Sequence, residues 1–496
     1  TEWYGYFVMK KEKCQVPVYT IIDPKVKNVD RFTVNSRWSC EAYRYGHFSY
    51  KGELYPHVAI RFRGFTGCFL PKRHFKIRFN RDRLFGGLRK INLNSFYTDK
   101  AYFREPLAWL FLKEIGSVWC ETSFVRLCIN GTYWGFYLYL EHPDASFLKR
   151  NGLDPDGPLY KGLMGPFGRG ECEWTPGFAR YKSPEEYARW WEEETRETGD
   201  YTLLADFIDG LHETEGDLSY LKDHLDIESV LLFQAGQTAI RNFDITAKNF
   251  FLYLNPRTGK WHYLPWDLDL SFGKYFDLDA VGLGRPVGTL NDNMACPEIT
   301  AQAGLFYSAE MTSCGFPPNW LTYYFFNAGS NYFRRAYLIR LWDLLREKYL
   351  PERFASVIEG WLSKVQGEIE RDIVAWPRYP SNSTPPTDPD LASNLEILEE
   401  QIRCIRSQLM GQIPLWVRGH PRLRITELMV LPPLAGASQD PEALQFIELY
   451  NPDQEEIDIS GWSIKGIFSN LERVFYKFPP GTKAAPGEVI TVAKNP

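Results

Sequence analysis

No two of the nine cysteines (Cys14, Cys40, Cys68, Cys120, Cys128, Cys172, Cys296, Cys314 and Cys404) stand in C-x-x-C spacing. That argues against a zinc ribbon or a thioredoxin-type redox site. Their odd number leaves at least one thiol unpaired within a monomer; scattered buried thiols and one or two disulfides are both compatible with it. Long apolar runs are also missing. The longest stretches, such as residues 108–112, fall far short of the ~20 apolar residues that cross a bilayer, so no membrane span is expected. The opening TEWYGYFVMK is too polar for a signal peptide, which is expected to have been removed or never to have existed. Global disorder is excluded by a hydrophobic content of 44% against 24% charged residues. The aromatic share of 16% points to large cores.

The net charge of −5 hides a split. Residues 1–100 hold 20 basic and 8 acidic residues, a balance of +12, which leaves 37 against 54 in the remainder, a balance of −17. Such asymmetry predicts a polyanion-facing region near the amino terminus. Period-two alternation predicts strands over 16–22, 57–63 and 73–79, the last two joined by a glycine-bearing loop, Gly64-Phe65-Thr66-Gly67. Helical spacing over 104–115 stops at Gly116. Strands 123–129 and 133–140 meet at Asn130-Gly131, a strong hairpin signal. The first ~140 residues therefore predict a mostly antiparallel sheet plus one helix. Acid-rich helical patterns follow at 184–197 and 201–211, then a helix over 226–240 with an acidic start. A second hairpin covers 249–265. Helical periodicity returns at 333–350, 351–376 and 390–412, with residues 377–390 a loop by composition. From about 421 short alternating strands predict a small β-sandwich, reached through a linker at 413–421.

The strongest constellation is Asn242 to Asn249, then the hairpin, then Trp266-Asp267-Leu268-Asp269-Leu270-Ser271-Phe272-Gly273. Asp244 follows an apolar helix, and Asn249 opens a strand. The hairpin returns Asp267 beside Asn249. Converging carboxylate and amide oxygens make a hard-cation site. Phosphoryl transfer needs this set, with one carboxylate to orient a hydroxyl and an amide plus a second carboxylate to hold magnesium. The D-x-x-x-x-N spacing of 244 to 249 equals that of the protein-kinase catalytic loop, and Asp267 takes the place of the D-F-G aspartate. Alternation puts Asp269 on the side of Asp267, either as a further metal ligand or as a brace. For the phosphates, Lys72, Lys76 and Arg78 form a cationic strip opposite Phe75, Ile77 and Phe79, with Lys72 the first candidate and Lys76 the second. Glu105 is a candidate partner for the lysine, or a first-turn dipole partner. Glu141 ends a strand where a two-lobed kinase has its hinge.

The ordered set RFRG, PKRHFKIRF, KINLNSFYTDKAYFREPLAWLFLKEIG, FVRLCINGTYWGFYLYLEHPDASFLKR, PLYKG and NFDITAKNFFLYLNPRTGKWHYLPWDLDLSFG resembles the CotH family of spore-coat-type atypical kinases over most of residues 16–412. The resemblance implies an α+β, two-lobed atypical protein-kinase-like fold, with residues 1–141 as the first lobe and 142–412 as the second. It implies ATP and a divalent metal (Mg2+ or Mn2+) as cofactors and transfer to protein serine or threonine, autophosphorylation included. By that resemblance Asp244 is the catalytic aspartate and Lys72 the family lysine. Glu141, Tyr160 and Lys161 fall in family motifs near the nucleotide, and Asn249 and Asp267 are the metal ligands; Lys76 and Asp269 stay the candidates that strand alternation offers. The family's R-G-N-S-S loop reads Arg63-Gly64-Phe65-Thr66-Gly67 here, with Phe65 in a polar position. Residues 422–496 resemble a lamin tail domain through Ile425-Thr426-Glu427-Leu428, Phe446 to Asn451 and Asp458 to Trp462. That implies an immunoglobulin-like sandwich for tethering to a surface or another protein.

Two other function classes stay open: a structural or adhesive surface protein with an inactive kinase-like domain, and a kinase fold transferring another nucleotide moiety such as AMP. A nucleic-acid partner is not expected, because the aromatics of the basic region sit at strand-core spacing. The resemblance favours an envelope, spore-surface or secreted setting over a cytoplasmic one, against which the unpaired cysteine argues.

Overall fold

Alternation of inward apolar and outward polar residues over seven strands closes a barrel at the start of the chain. The computed structural model describes residues 15–64, 66–68, 70–163, 178–196, 198–242, 244–245, 248–276, 290–291, 305, 319–328, 332–377, 390–413, 417, 423–429, 446–452, 456–468 and 471–493. The chain divides into two units, Thr1–Ile413 and Pro414–Pro496. Helix and strand mix in the first; the described part of the second is strand-rich.

The barrel strands are β1 (Val18–Ile22), β2 (Arg44–Tyr50), β3 (Glu53–Arg63), β4 (His74–Arg78), β5 (Lys90–Asn94), β6 (Thr122–Ile129) and β7 (Thr132–Glu141), in the order β1-β2-β3-β4-β5-β7-β6. Neighbours are antiparallel except β1 and β6, whose parallel pairing from Val18↔Arg126 to Ile21↔Ile129 closes the ring. The expected mostly antiparallel sheet is present but closes into a barrel, and the single expected helix has a companion. Besides α2 (Arg104–Glu114) there is a short α1 (Arg31–Arg37), whose first turn donates from Thr33 N to Asp30 Oδ1 at 2.8 Å. Strands β2 and β5 are not expected from sequence: Gly46 interrupts the alternation of β2, and β5 is a short alternating run whose outer positions hold Asn92 and Asn94, poor strand formers. Inside the barrel Ile60, Phe62, Phe75, Ile77, Ile91 and Leu93 are fully buried. Opposite parity therefore puts Arg61, Arg63, Lys76, Lys90, Asn92 and Asn94 on the outer face, with Arg61, Lys76 and Asn92 side by side across three strands.

A second sheet has the order β11-β10-β8-β9, built from β8 (Leu159–Gly162), β9 (Trp191–Glu193), β10 (Phe250–Asn255) and β11 (Lys260–Pro265). Around it stand α3 (Ala145–Arg150), α4 (Thr202–Glu213), α5 (Leu218–His224), α6 (Ile227–Ala239), α7 (Trp320–Asn327), α8 (Tyr332–Glu347), α9 (Pro351–Ala375) and α10 (Leu391–Gln412). The expected helix at 184–197 is instead a 3-10 turn, Pro184–Arg189, followed by β9. The reason is the pairing edge of β8, which takes Trp191 opposite Gly162 and Glu192 opposite Lys161, burying Trp191 and leaving Glu192 exposed. Most of residues 282–330 lies outside the described residues; α7 and β13 (Leu290–Asn291) fall within it, and β13 pairs with β12 (Tyr275–Phe276), which precedes it. Most of the expected loop at 377–390 lies outside them as well.

Helix α9 is clamped to the barrel by residues spaced one turn apart. Arg126 of β6 binds Glu368 through two guanidinium nitrogens, and Trp376 Nε1 donates to Trp134 O at 2.5 Å. Between them Lys72 Nζ donates to both oxygens of Asp372, at 2.7 and 2.8 Å, and to Phe136 O at 2.6 Å. Gly135 makes room for this pair: a Cβ there would stand 2.7 Å from Lys72 Cε and 3.0 Å from Asp372 Oδ1. A disulfide joins Cys40 to Cys68, with Cα atoms 6.1 Å apart, and so ties the glycine-bearing loop to the chain after α1. Cys120 and Cys128 are buried and lie outside that bridge.

In the second unit β14 (Arg424–Met429), β15 (Phe446–Tyr450) and β20 (Val489–Ala493) form one sheet. The pairs β16 (Ile457–Asp458) with β19 (Lys483–Ala484) and β17 (Ser463–Phe468) with β18 (Leu471–Lys477) complete the described strands. Leu449, Ile457, Ile459, Phe478 and Ala484 form the core, against which Trp462 packs. Asn451 is fully buried, and its amide donates to Ala484 O and Ala485 O. These sheets are consistent with the expected sandwich.

Candidate functional site

Three segments bring the acidic side together: the turn after α6, the start of β10, and the chain leaving β11. Asn249 folds back so that its Nδ2 donates to Asp244 O at 2.7 Å. Its Oδ1 accepts no hydrogen bond, and neither Asp267 nor Asp269 has a hydrogen-bond or ion-pair partner for its carboxylate among the described residues. Asn249, Asp267 and Phe272 hold φ angles of +69°, +56° and +55°. Left-handed backbone at non-glycine residues costs about 1–3 kcal/mol each and concentrates at sites where geometry outranks stability. Asp244 keeps its Oδ2 on Lys248 Nζ at 2.5 Å. Burial lowers the Lys248 pKa, but Asp244 and Asp267 outweigh it and leave it raised. Burial first, then Asp267, pushes Asp269 up to about 6. Like-charged carboxyl groups gathered in this way are what a cation would relieve. Among the described residues no three His, Cys, Asp or Glu side chains already close on one point. A magnesium site asks for less: one or two carboxylates, with water and phosphate supplying the rest. The unbonded Asn249 Oδ1 with the Asp267 and Asp269 carboxylates fits that demand.

The cationic side is the outer face of the barrel. Arg63 lies 5.5 Å from the Trp266 ring centroid, next to Asp267 in the chain, and donates to Asn94 Oδ1. Lys161 of β8 lies 5.9 Å from the same ring. Lys76 is 7% exposed and has no hydrogen-bond or ion-pair partner among the described residues. Burial pulls its pKa down to about 8; Glu194 and Glu192 oppose the shift, and Lys90 and Lys161 add to it. A buried ammonium without a partner is costly, so its retention points to a ligand.

Other expected site residues are placed elsewhere. Lys72 is fully buried, and all three ammonium donors are used by Asp372 and Phe136 O, so it has none to offer a phosphate. Glu141 is buried and held by Arg150, with Nε at 2.9 and 3.0 Å from its two oxygens, while Oε2 also accepts from Glu121 N. Tyr160 faces away from Lys161, as strand parity requires, and its hydroxyl donates to Asp200 O at 3.1 Å. Glu105 accepts from Asn94 Nδ2 through both oxygens, at 2.9 and 2.8 Å, and makes no pair with a lysine among the described residues. Burial first, then Asp269, raises it to about 8.

Several residues here were not singled out from sequence. Lys248 was inside the D-x-x-x-x-N motif, and its i,i+4 offset from Asp244 was the available signal. Arg63 closes RFRG. Glu194 lay in the segment misread as helix; its carboxylate reaches Lys90 Nζ at 3.2 Å and His142 Nε2 at 2.9 Å.

A family model described as "CotH kinase protein" matches residues 60–403, and one described as "Lamin Tail Domain" matches residues 417–496. A curated relative, the inner spore coat protein H of Bacillus subtilis (strain 168), is 26% identical over 224 residues, 44% of this chain. The match spans 59% of the length of that relative.

Proposed function

The chain belongs to the CotH kinase protein family, and from that premise we propose that it is a metal- and ATP-dependent phosphotransferase acting on protein serine or threonine. One observation carries the reading: oxygens of Asn249, Asp267 and Asp269 that are unbonded among the described residues gather beside Trp266, whose ring also attracts Arg63 and Lys161, and Lys76, likewise without a bonded partner among them, stands on the adjoining barrel face. Cations on one side and metal-ligating oxygens on the other suit a triphosphate with its counter-ion.

In this mechanism Lys76, Arg63 and Lys161 neutralise phosphate oxygens. Lys76 takes the role expected of Lys72. Asn249, Asp267 and Asp269 would hold Mg2+ or Mn2+, which when bound supplies positive charge against the phosphates. Asp244 accepts a hydrogen bond from the acceptor hydroxyl in exchange for that of Lys248, and takes its proton. The new O–P bond forms as the bond from the γ-phosphorus to the bridging oxygen breaks, and ADP leaves with that electron pair. Until that exchange Lys248 holds the Asp244 carboxylate in place through its contact at 2.5 Å. Glu141 and Tyr160 act in this reading only by holding the surrounding chain.

The test is γ-phosphoryl transfer to the protein itself and to added proteins, read by intact mass. Wild type gains phosphoryl groups; Asp244→Ala and Asp267→Ala do not, while both keep the wild-type melting profile. Full transfer by both variants overturns the proposal. Adenylyl additions in place of phosphoryl ones would assign AMP transfer, and Mg-ATP binding with no product would assign a non-catalytic binder. The lamin tail unit suits a tethering role, and the spore-coat relative favours a surface location. Among the described residues no helix is long and apolar enough to cross a membrane.

A further inference from the structure

Phosphate-binding lysines in protein kinases are held by a glutamate from the helix that follows the third strand. Here the corresponding helix, α2, does carry a buried acid, Glu105. Yet both of its oxygens accept from Asn94, and its charged neighbours are Asp269, Asp267 and Arg63. The groups around Lys76 are others: it stands opposite Asn92 of β5, whose Nδ2 lies 3.5 Å from His142 Nδ1 just past β7, and His142 in turn meets Glu194; Glu192 of β9, Lys90 of β5 and Lys161 of β8 complete its charged neighbours. Only one of the two carboxylates is sequestered. Glu192 is exposed, whereas the Glu194 side chain is 3% exposed. Glu194 gathers three elements. It ends β9, where its N–H bonds Leu159 O at 2.9 Å, and its Oε2 meets His142 Nε2 and Lys90 Nζ.

We propose that Glu194 is the positioning carboxylate for Lys76, the part that α2 leaves unfilled, so that the chain between 190 and 195 governs nucleotide affinity. This deepens the phosphotransferase reading and rests on it. His142 Nε2 meets Glu194 Oε2 at 2.9 Å. Burial raises the Glu194 carboxyl, but His142, then Lys76 and Lys90, outweigh it and hold it well below the usual carboxylate range. Lys90 takes one oxygen at ion-pair distance. Lys76 stands farther off, within reach of the field but free to turn to a phosphate.

The experiment is Mg-ATP affinity by calorimetry from pH 6.5 to 9, in wild type and Glu194→Gln, each with Lys76 or Lys76→Arg. Wild-type affinity falls as pH rises through about 8, where Lys76 loses its proton. Glu194→Gln moves that fall to lower pH and weakens binding at pH 8 at least fivefold; a smaller loss overturns the inference. Arginine stays charged without help. In the Lys76→Arg background the same Gln change therefore costs less than twofold, and a larger loss means that Glu194 acts on the fold and not on Lys76. Glu194→Asp keeps the charge and serves if the Gln variant does not fold: affinity within threefold of wild type is expected, and a greater loss overturns the inference. Should Asp244→Ala and Asp267→Ala retain transfer, the phosphotransferase reading fails on separate data. Should they abolish it while Glu194→Gln binds normally, only the inference about Glu194 fails.

Discussion

Two buried lysines four residues apart have opposite surroundings. Lys72, just before β4, is saturated by Asp372 and a carbonyl. Lys76, within β4, has neighbours of both signs and no bonded partner among the described residues. The barrel face toward α9 repeats the first pattern in Arg126 with Glu368. On the face toward β8 and β9 Lys90 is paired with Glu194, but among the described residues Arg63 and Lys161 reach only an amide and an indole ring. A buried cation matched by a carboxylate is spent on the fold. One left unmatched carries an energetic cost that only a ligand removes. The difference separates structural from functional charge more sharply than burial does.

The largest expected effect lies on the saturated side. Asp372→Ala strands Lys72 in a dry interior and should destabilise the first unit by about 3–5 kcal/mol, seen as a lower denaturant midpoint. A variant that melts like wild type would break the comparison. Next, on the functional side, Asp267→Ala should cut transfer by about 10²–10³-fold with little change in melting. Asp267→Gly should be equally inactive yet more stable than the Ala variant by about 1 kcal/mol, because glycine adopts φ +56° without strain. Equal stability of the two would mean that the backbone is not strained there. Third, Lys76→Met should abolish Mg-ATP binding while raising stability by roughly 1 kcal/mol; a loss of stability would make Lys76 structural after all.

The smallest effect is a pH dependence. Glu105 is raised from its ordinary value to about 8, so between about 4.5 and 8 the folded protein binds more protons there than the unfolded chain. Stability from this group is full below that window and declines as pH rises through it. Glu105→Gln removes the ionisation, so its melting temperature relative to wild type should climb from pH 6 to pH 8.5. A difference independent of pH would show that burial does not govern Glu105.

What the sequence made legible follows how far apart the partners are along the chain. Asp244, Asn249 and Asp267 could be grouped because a single hairpin, unmistakable at Asn255 to Gly259, joins them. The cations could not. Parity puts Lys72 and Lys76 on one face of an ideal strand, but β4 begins only at His74, and the chain before it turns Lys72 toward a helix 300 residues away. Glu141 was recoverable in principle, since Arg150 lies nine residues on at the end of α3. Tyr160 and Lys161 are adjacent on a strand, so at most one could face the site. Barrel closure was hidden for the same reason as Asp372: β1 finds β6 across more than a hundred residues, and no local pattern announces it. The disulfide between Cys40 and Cys68 also removes the cysteine objection to an oxidising setting, because an odd total leaves room for a bridge.

The clamp between Lys72 and Asp372 also orders events during synthesis. The residues that build the barrel emerge first, and their lysine must wait for the next 300 residues before its counter-ion exists. At about 5–20 residues per second that interval is roughly 15–60 s. Until then the nascent barrel presents an uncompensated ammonium at the seat of α9, and its lowest-energy form is one that keeps this corner wet. Drying of the corner on arrival of the helix would mark the moment at which the first unit becomes a single cooperative body.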